Sequence, residues 1–401
     1  MRKFGLAVLP VLLMGMLGLG SVPGKLIVWC DETRAPIMQE LAEQFTAKYG
    51  VPVEIQELGF GDIRDRLGIA GPAGEGPDIL IGAHDWLGQL VANGLLEPLD
   101  FMADIKDQFV PVAVEAFSYG ETIYGLPYAT EAIALIYNKD LVPEPPATFE
   151  ELIEIAKELT DPEAGQYGFL SNIPQPDPYH SFPFISAFGG YVFGKSMDGT
   201  LNPCDIGLDK IGALQGVELI LRLVNEGVLP PDCDYATMTG LFNEGRAGMI
   251  LTGPWAVGDI RKAGINFGIA KIPTMAGNTP RPFVGVQGFM LSAFSENKAL
   301  AKVFLEEFVA TKDTMLALYQ RDPRNPAYLA ALEEVSSDPV VQAFAASAAD
   351  GVPMPSIPEM AGVWVAWGDA LQLIVTQQQD PASALKDAVA RIRETIGCPG
   401  L

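Results

Sequence analysis

Basic residues and histidines are scarce in this chain of 401 residues. Its 26 lysines and arginines stand against 50 aspartates and glutamates, which gives a formal net charge of −24, and there are only two histidines. Nucleic-acid binding needs clustered basic side chains, so this balance argues strongly against a nucleic-acid partner. It also disfavours an anionic membrane surface. With so few histidines we expect no histidine-based metal site, and nothing in the sequence requires a cofactor.

Motifs for hydrolytic catalysis are also missing. The chain contains no H-E-x-x-H and no G-x-S-x-G, and the glycine-rich stretch 71–76 lacks the lysine that a phosphate cradle needs. One alternative is an exported glycoside hydrolase that uses Asp85 and Glu131 as its acid and base. Among 50 acidic residues some such pair can always be proposed, so we predict that the protein is not an enzyme.

Long hydrophobic runs are absent except at the N-terminus. Residues 4–19, a run of 16 without charge, follow the basic start Met1-Arg2-Lys3 and precede the small residues Gly20 and Ser21. The run is shorter than the roughly 20 residues that span a bilayer. This pattern is typical of a secretory signal, which we place at residues 1–24; an uncleaved anchor is the alternative. We expect an exported protein, periplasmic or extracytoplasmic and soluble after cleavage.

Cysteine is limited to four residues, and an even count in an oxidising compartment permits disulfides. Four cysteines allow three pairings. Cys204 and Cys233 both lie in turn-like sequence, which makes a bridge between them one candidate. Cys30 ends an apolar run and is expected to be a buried thiol. No cysteine spacing matches a metal or redox motif.

Apolar strand patterns alternate with helical patterns along the chain. Residues 26–29 are typical of a buried strand, residues 34–50 show helical spacing, and residues 51–55 alternate like a second strand. A capping box at Thr148 and Glu151 begins a later helix. Residues 211–224 predict another, with an apolar face through Ile211, Leu214, Val217, Leu221 and Val224. This alternation indicates α/β sheets.

Ten short runs resemble, in order, the extracellular solute-binding family of ABC sugar importers, and in particular its maltose and maltodextrin receptors. The runs are EGPDI (75–79), AHD (83–85), NGLL (93–96), PYATEA (127–132), LIYNKDL (135–141), GGY (189–191), FNEG (242–245), GPW (253–255), PFVGV (282–286) and MPSIPEM (354–360). Each run alone is weak, but the ordered set is specific and covers residues 25 to about 395.

The resemblance implies two discontinuous α/β lobes joined by a multi-crossing hinge, a periplasmic-binding-protein-like fold of type II with the ligand cleft between the lobes. The N-terminal lobe would comprise 25–130 plus 287–325, and the C-terminal lobe 131–286 plus 326–398. Crossings are expected near 130–133, 284–289 and 323–335. A monomer would close around maltose, a malto-oligosaccharide or a related saccharide and dock on the membrane subunits of an ABC permease.

A pyranose presents apolar faces and a belt of hydroxyls, so its site needs aromatic surfaces and fixed polar groups. The resemblance assigns the aromatic platforms to Trp255, Trp364 and Tyr179. It assigns the polar contacts to Asp31, Thr33, Arg34, Asp65, Asp85, Glu131 and Asp177. A helix cap is the alternative role for Asp85, and a solvated helix face is the alternative for Asp65.

Three departures from the family pattern affect the ligand. Trp86, which we include in the predicted site, stands where the family prototype has an arginine after the cleft aspartate. Gly368 replaces a second arginine, with Trp367 beside it, and His180 replaces an aromatic residue. Lost guanidinium donors and added rings change which saccharide fits. We therefore predict a gluco-oligosaccharide in general, with another sugar or a polyol as the alternative.

Overall fold

The computed structural model of the protein describes residues 24–173 and 177–398. Apart from Gly24, the predicted signal segment 1–24 lies outside the described residues. Over the part that is described, no helix is both long and apolar enough to cross a membrane.

The described residues form a mixed α/β structure, as predicted. The strands are β1 (Leu26–Cys30), β2 (Val53–Glu57), β3 (Ile79–Ala83), β4 (Leu96–Glu97), β5 (Ser118–Tyr119), β6 (Thr122–Ile123), β7 (Gly125–Glu131), β8 (Ala134–Asn138), β9 (Tyr167–Leu170), β10 (Phe193–Lys195), β11 (Leu201–Ile206), β12 (Ala247–Thr252), β13 (Phe267–Ala270), β14 (Phe283–Ser292), β15 (Asn325–Pro326) and β16 (Val352–Pro353). The α-helices are α1 (Ala35–Tyr49), α2 (Phe60–Ala70), α3 (Leu87–Ala92), α4 (Met102–Ile105), α5 (Pro111–Ala116), α6 (Phe149–Leu159), α7 (Pro178–Ala187), α8 (Ile211–Asn225), α9 (Tyr235–Asn243), α10 (Val257–Ala263), α11 (Lys298–Phe304), α12 (Lys312–Arg321), α13 (Leu329–Val335), α14 (Pro339–Ala349), α15 (Ala361–Val375) and α16 (Pro381–Thr395).

Two main sheets organise these elements. The larger sheet has eight strands in the order β15-β7-β14-β3-β1-β2, with β4 and β16 paired to β14. Strand β1 is parallel to β2 and β3, whereas β14 is antiparallel to β3 and β7. The smaller sheet has four strands in the order β13-β8-β12-β9. The larger sheet therefore combines the start of the chain with strands from its last third.

Strand β14 lies between two hydrophobic cores. Phe283, at its beginning, packs with residues of α7, α15 and α16, while Val286 and Phe289 pack with β1, β3 and α1. The lobe limits given above, 25–130 plus 287–325 and 131–286 plus 326–398, stay a prediction.

The β-α-β opening follows from its sequence. Every residue of β1 is buried, because the strand is apolar along its whole length. Helix α1 carries a proline in its first turn and ends at Gly50, whose φ of 69° is left-handed. Thr148 and Glu151 form the predicted capping box of α6.

Helix α8 forms where it is predicted, and of its predicted apolar face Val217 is buried and Leu214, Leu221 and Val224 pack partly buried against the cores, but the face extends toward small residues. Ile211 is 71% exposed, whereas Gly212, Ala213 and Gly216 are buried. A Cβ atom added at Gly216 would lie 2.5 Å from the Phe184 carbonyl oxygen on α7. Close approach of the two helices requires small residues, which hydrophobic periodicity does not detect.

The predicted Cys204–Cys233 bridge is wrong. Cys204, in β11, is bonded instead to Cys398, beyond the end of α16, with a Cα–Cα distance of 5.6 Å. Cys233 is a buried free thiol that packs with Met238 and Phe242 in a different core, and Cys30 is also free and buried. The turn-like sequence around Cys204 held no information on which chain segment packs beside it.

Candidate functional site

The three predicted aromatic platforms lie in one continuous chain of rings. Trp255 and Tyr179 have ring centroids 6.1 Å apart, Tyr179 stacks on Phe283 at 6.0 Å, and Phe283 lies 6.1 Å from Trp364. Trp255, Tyr179 and Trp364 are each only partly buried. These rings therefore offer the apolar surface that a sugar face requires.

Trp255 is held by the turn that follows β12. That strand is fully buried and continues through Gly253 into a short 3₁₀ turn, Pro254–Ala256. A Cβ atom at Gly253 would lie 2.1 Å from the Trp255 ring. Glycine therefore allows the indole to lie against its own backbone at the end of the strand.

Asp85 connects the larger sheet to α15. It lies in the 3₁₀ turn His84–Trp86, directly after the buried strand β3, and is 8% exposed. The indole Nε1–H of Trp364 donates a hydrogen bond of 3.2 Å to an Asp85 carboxylate oxygen. Burial raises the pKa of Asp85 to about 6, while Arg64 and the Trp364 hydrogen bond act in the opposite direction. Two residues predicted to bind sugar thus meet from positions far apart in the sequence.

Glu131 ends β7 and is held on both carboxylate oxygens. The Gln287 side-chain amide donates to one oxygen at 2.9 Å, and the Arg324 Nε–H donates to the other. The Arg324 guanidinium also lies 5.4 Å from the centroid of the Trp255 ring. The carboxylate is therefore fixed beside an aromatic platform.

Arg34 and Asp31 form a buried ion pair next to this group. Arg34 is 2% exposed, and its Nε–H donates to the Tyr128 hydroxyl at 2.7 Å. Burial alone would lower the pKa of the guanidinium, but Tyr128, Asp31 and Glu131 raise it, so the charge is retained.

Four charged groups act on the Tyr179 hydroxyl. Burial raises the pKa of Tyr179 well above its usual value, Glu131, Asp177 and Asp85 raise it further, and Arg324 lowers it. These groups come from four separate segments of the chain. The Tyr179 hydroxyl is therefore within electrostatic range of three of the predicted acids.

Several buried polar atoms in this region have no hydrogen-bond partner among the described residues. They are Tyr179 Oη, His180 Nε2, Arg34 Nη2 and Gln287 Oε1. Buried polar groups are normally hydrogen-bonded, so unpaired atoms grouped in one place need an explanation. Each can bond a hydroxyl, which both donates and accepts.

Four of the residues predicted to bind sugar either lie away from the aromatic rings and acids described above or are bonded to other groups. The Asp65 side chain is 66% exposed and is ion-paired with Arg64, as a solvated helix face would be. Trp86 is buried in the core against Phe60, with ring centroids 4.8 Å apart. The Thr33 backbone N–H donates to Asp31 at 3.1 Å, and no hydrogen bond of its side chain is seen in the described part of the chain.

Asp177, the fourth of these residues, caps α7. One carboxylate oxygen accepts the His180 backbone N–H, and the other accepts from the imidazole Nδ1 at 2.8 Å and from the Asn172 amide. Burial alone would raise the pKa of Asp177, but His180 and Asn172 lower it. The carboxylate thereby orients the imidazole, whose ring centroid lies 6.0 Å from that of Trp255 in an edge-to-face arrangement. Asp177 acts on the site through His180.

Sequence reasoning did not assign His180, Arg324, Gln287 or Phe283 to the site. A signal existed for two of them: Gln287 and Arg324 are polar residues inside predicted hinge crossings, 284–289 and 323–335, and both are buried. His180 was noted only as a departure from the family pattern. Nothing in the sequence indicates that Phe283 connects two platforms.

A cavity of about 750 Å³ is lined by none of the predicted site residues, although Phe283 of the aromatic chain forms part of its wall. Val284 and Val286 of β14 line this cavity. Gly285 and Gln287 alternate with them along the strand and therefore face the other side of the sheet, toward Glu131.

Residues 189–195 also line this cavity. Together with Ser196 they match the phosphate-loop pattern G-x-x-x-x-G-K-S, but Gly194 and Lys195 lie in β10, paired with β11, rather than ahead of a helix. The phosphate-binding geometry is therefore not formed.

Within residues 24–173 and 177–398, no group of three or more histidine, cysteine, aspartate or glutamate side chains could hold a metal ion.

The fold and the site define a solute-binding protein. Residues 40–349 match the family model of bacterial extracellular solute-binding proteins, and the chain belongs to this family. Among curated relatives, the galactooligosaccharide-binding protein of Bacillus subtilis is 33% identical, covering 94% of this chain and 90% of the relative. The maltotriose-binding protein of Pyrococcus abyssi is 34% identical, covering 92% of this chain and 80% of the relative.

A solved structure supports the same assignment. The Thermus thermophilus maltotriose binding protein bound with maltotriose superposes with a TM-score of 0.88 at 36% sequence identity. The match covers 93% of this chain and 100% of the other. The predicted periplasmic-binding-protein-like α/β fold is thereby confirmed.

Proposed function

We propose that this protein is the saccharide receptor of an ABC importer and binds a malto-oligosaccharide such as maltotriose. The observation that carries the proposal is the group of unpaired, buried polar atoms beside the aromatic chain. Tyr179, Trp255 and Trp364 supply ring surfaces, and Asp85, Glu131, Asp31 and Arg34 supply fixed polar groups. A hydroxylated ligand would satisfy the unpaired atoms, and one lacking a hydroxyl would leave a buried group unpaired.

Hinge closure is the proposed mechanism. A ligand shifts an open–closed equilibrium only through its difference in affinity for the two states. Moving the equilibrium from about 1% to 99% closed requires roughly 5.5 kcal/mol of differential binding. Contacts with residues of both sheets, such as Asp85 behind β3 and Trp255 behind β12, supply such a difference because only the closed form brings both to one ligand.

The biological setting follows from the family. We propose that the protein is exported, acts as a monomer and delivers its ligand to the membrane subunits of an ABC permease. We propose that it performs no catalysis, because it belongs to a family of binding proteins and no sequence motif for hydrolysis is present. Incubation of the pure protein with malto-oligosaccharides should release no shorter products, and any time-dependent shortening would contradict this part of the proposal.

A galacto-oligosaccharide is the second candidate ligand, because one of the relatives described above is a galactooligosaccharide-binding protein. Galactose differs from glucose by the inversion of one hydroxyl, so both sugars present an apolar face and a hydroxyl belt. The aromatic chain suits both. The choice depends on which hydroxyl positions the fixed polar groups accept.

A thermal-shift panel tests the proposal. It should contain maltose, maltotriose, longer maltodextrins, galacto-oligosaccharides and a polyol. Maltotriose at about 100 times its Kd should stabilise the folded state by about 2.7 kcal/mol and raise the melting temperature. A larger shift with galacto-oligosaccharides would select the second candidate. A panel in which no saccharide changes the melting temperature would refute the proposed function.

A further inference from the structure

Three strands of the larger sheet meet in one row at Glu131. In the register of β7 with β14, Glu131 is opposite Gly285. On the other side, β15 pairs with β7 through Asn325 opposite Thr130, so Arg324 directly adjoins Glu131. Each of the three predicted hinge crossings therefore contributes one residue to this row.

Glycine at position 285 gives the Glu131 side chain its space. A Cβ atom at Gly285 would lie 3.0 Å from Glu131 Cγ and 3.1 Å from its Oε1. The Glu131 side chain thus lies over β14, where Gln287 binds one of its oxygens at 2.9 Å. Arg324 binds the other oxygen from β15.

Arg324 has contacts on three sides and is 6% exposed. Its Nε–H bonds Glu131, its Nη1 is ion-paired with Asp322, and its guanidinium carbon lies 5.4 Å from the Trp255 ring centroid. A guanidinium is planar and can stack on a ring while its edge donates hydrogen bonds, whereas an ammonium is a point charge. One side chain therefore sets the relative position of a carboxylate and an aromatic ring.

We infer that Arg324 is a positioning residue for saccharide binding, which holds the Glu131 carboxylate and the Trp255 indole in the arrangement that the ligand requires. The inference rests on the proposed function and extends it to a residue that need not touch the sugar. It predicts that ligand affinity depends on the shape of the guanidinium as well as on its charge.

The test compares Arg324→Met, Arg324→Lys and the control Arg321→Met by calorimetry with maltotriose as the probe. Arg321 lies three positions away, and its side chain is 48% exposed with one ion pair to Glu40 at 3.4 Å. Arg324→Met should lower the affinity at least about tenfold, because it leaves the buried Glu131 charge unpaired. Arg324→Lys should recover only part of the loss. Arg321→Met should bind like the wild type.

Two further measurements separate positioning from general stability. Arg324→Met should change the tryptophan emission of the ligand-free protein, and this change should vanish in a Trp255→Phe background. In a Glu131→Gln background, Arg324→Met should weaken maltotriose binding by much less than it does alone, since both residues act through one contact. Equal losses in both backgrounds would contradict the inference.

Three other outcomes of these binding measurements also decide whether Arg324 is a positioning residue. If Arg324→Met binds maltotriose within about twofold of the wild type, Arg324 is not a positioning residue and the proposed function stands. If Arg324→Met does not fold, Arg324→Lys decides: a loss of less than about twofold overturns the inference. If the wild type binds no oligosaccharide of the panel, the proposed function fails, and the inference fails with it.

Discussion

Trp255 is the single side chain on which the proposed site depends most. Its ring centroid lies about 6 Å from those of Tyr179 and His180 and 5.4 Å from the guanidinium carbon of Arg324, so it adjoins aromatic, imidazole and cationic groups. Replacing it by alanine should weaken maltotriose binding at least about tenfold, measured by calorimetry, because a stacking surface is lost. The ring is partly exposed, so circular dichroism should still show a folded protein. Unchanged affinity would remove Trp255 from the site.

Asp85 makes the folding stability depend on pH. Its pKa in the folded protein is about 6, above the ordinary 3.8, so ionisation disfavours the folded state. The stabilising effect of the proton is complete below pH 3.8 and is lost as the pH rises through 6. The loss amounts to about 3 kcal/mol. Asp85→Asn should therefore unfold at higher denaturant than the wild type at pH 8, with little difference near pH 4.

Asp65→Asn is the matched control for this pH dependence, since the Asp65 side chain is 66% exposed. Its free energy of unfolding should stay close to that of the wild type, as for other exposed surface substitutions. If Asp85→Asn were destabilised equally at pH 4 and pH 8, its effect would come from lost hydrogen bonding to Trp364 rather than from the buried charge.

Site residues were predictable from sequence only where a motif surrounds them. Trp255 follows a Gly-Pro turn, and Asp85 follows a buried strand, so their positions at the end of a strand could be anticipated. Arg324 lies inside a predicted hinge crossing, but no local pattern indicates that its side chain is buried beside Glu131 rather than exposed like that of Arg321. Its role depends on β15 pairing with β7, a contact between segments nearly two hundred residues apart in sequence.

Helices α7 and α8 show how packing overrides local preference. Alanine favours a helix over glycine by about 1 kcal/mol, so propensity alone predicts that Gly216→Ala stabilises the protein. The new Cβ would lie 2.5 Å from the Phe184 carbonyl oxygen, which is backbone and cannot rotate away. We expect Gly216→Ala to lower the free energy of unfolding by about 1–3 kcal/mol in urea titrations.

Gly240 in α9 is the matched control for Gly216→Ala, because it separates helix propensity from steric contact. A Cβ atom there meets nothing within 4 Å. Gly240→Ala should raise the free energy of unfolding by about 0.5–1 kcal/mol, as propensity predicts. If both substitutions were stabilising, the close approach of α7 and α8 would be incorrect.

The disulfide stabilises the contact between β11 and the end of α16. It closes a separation of 194 residues, for which chain entropy predicts about 5 kcal/mol and engineered cases often give less. Cys204→Ser with Cys398→Ser should lower the free energy of unfolding by about 2–5 kcal/mol. Burial raises the pKa of Cys30 and Cys233 to about 12, so neither should exchange with the bridge at neutral pH. A reductant should destabilise the wild type and leave the double variant unchanged.

For the whole molecule, the order of strands and helices could be predicted, but the pairing between distant strands could not. Buried parallel strands and capped helices leave local patterns, as β1 and α6 do. Strand β14 could pair with many strands of similar apolar sequence. The sequence therefore does not determine that β14 lies between β7 and β3 with β16 beside it. The resemblance to a family predicted which segments cross between the lobes, but it did not predict these strand pairings.

Closure of the whole molecule around its ligand can be measured directly. If maltotriose bridges the two sheets, small-angle X-ray scattering should show a smaller radius of gyration with saturating maltotriose than without it. Trp255→Ala at the same maltotriose concentration should show a smaller decrease, because less protein is bound. A radius that stays constant although calorimetry shows binding would mean that the ligand is held without hinge closure.

The bond between Cys204 and Cys398 turns about half of the polypeptide into a covalent ring. That ring includes β14 and β15, so it passes through the larger sheet as well as the smaller one. A protease that cuts once anywhere between the two cysteines produces fragments that remain joined. In the extracytoplasmic setting proposed above, where proteases are common and reductants are rare, a nicked molecule would keep all of its strands. The cut would appear as two bands only on a gel run with reductant.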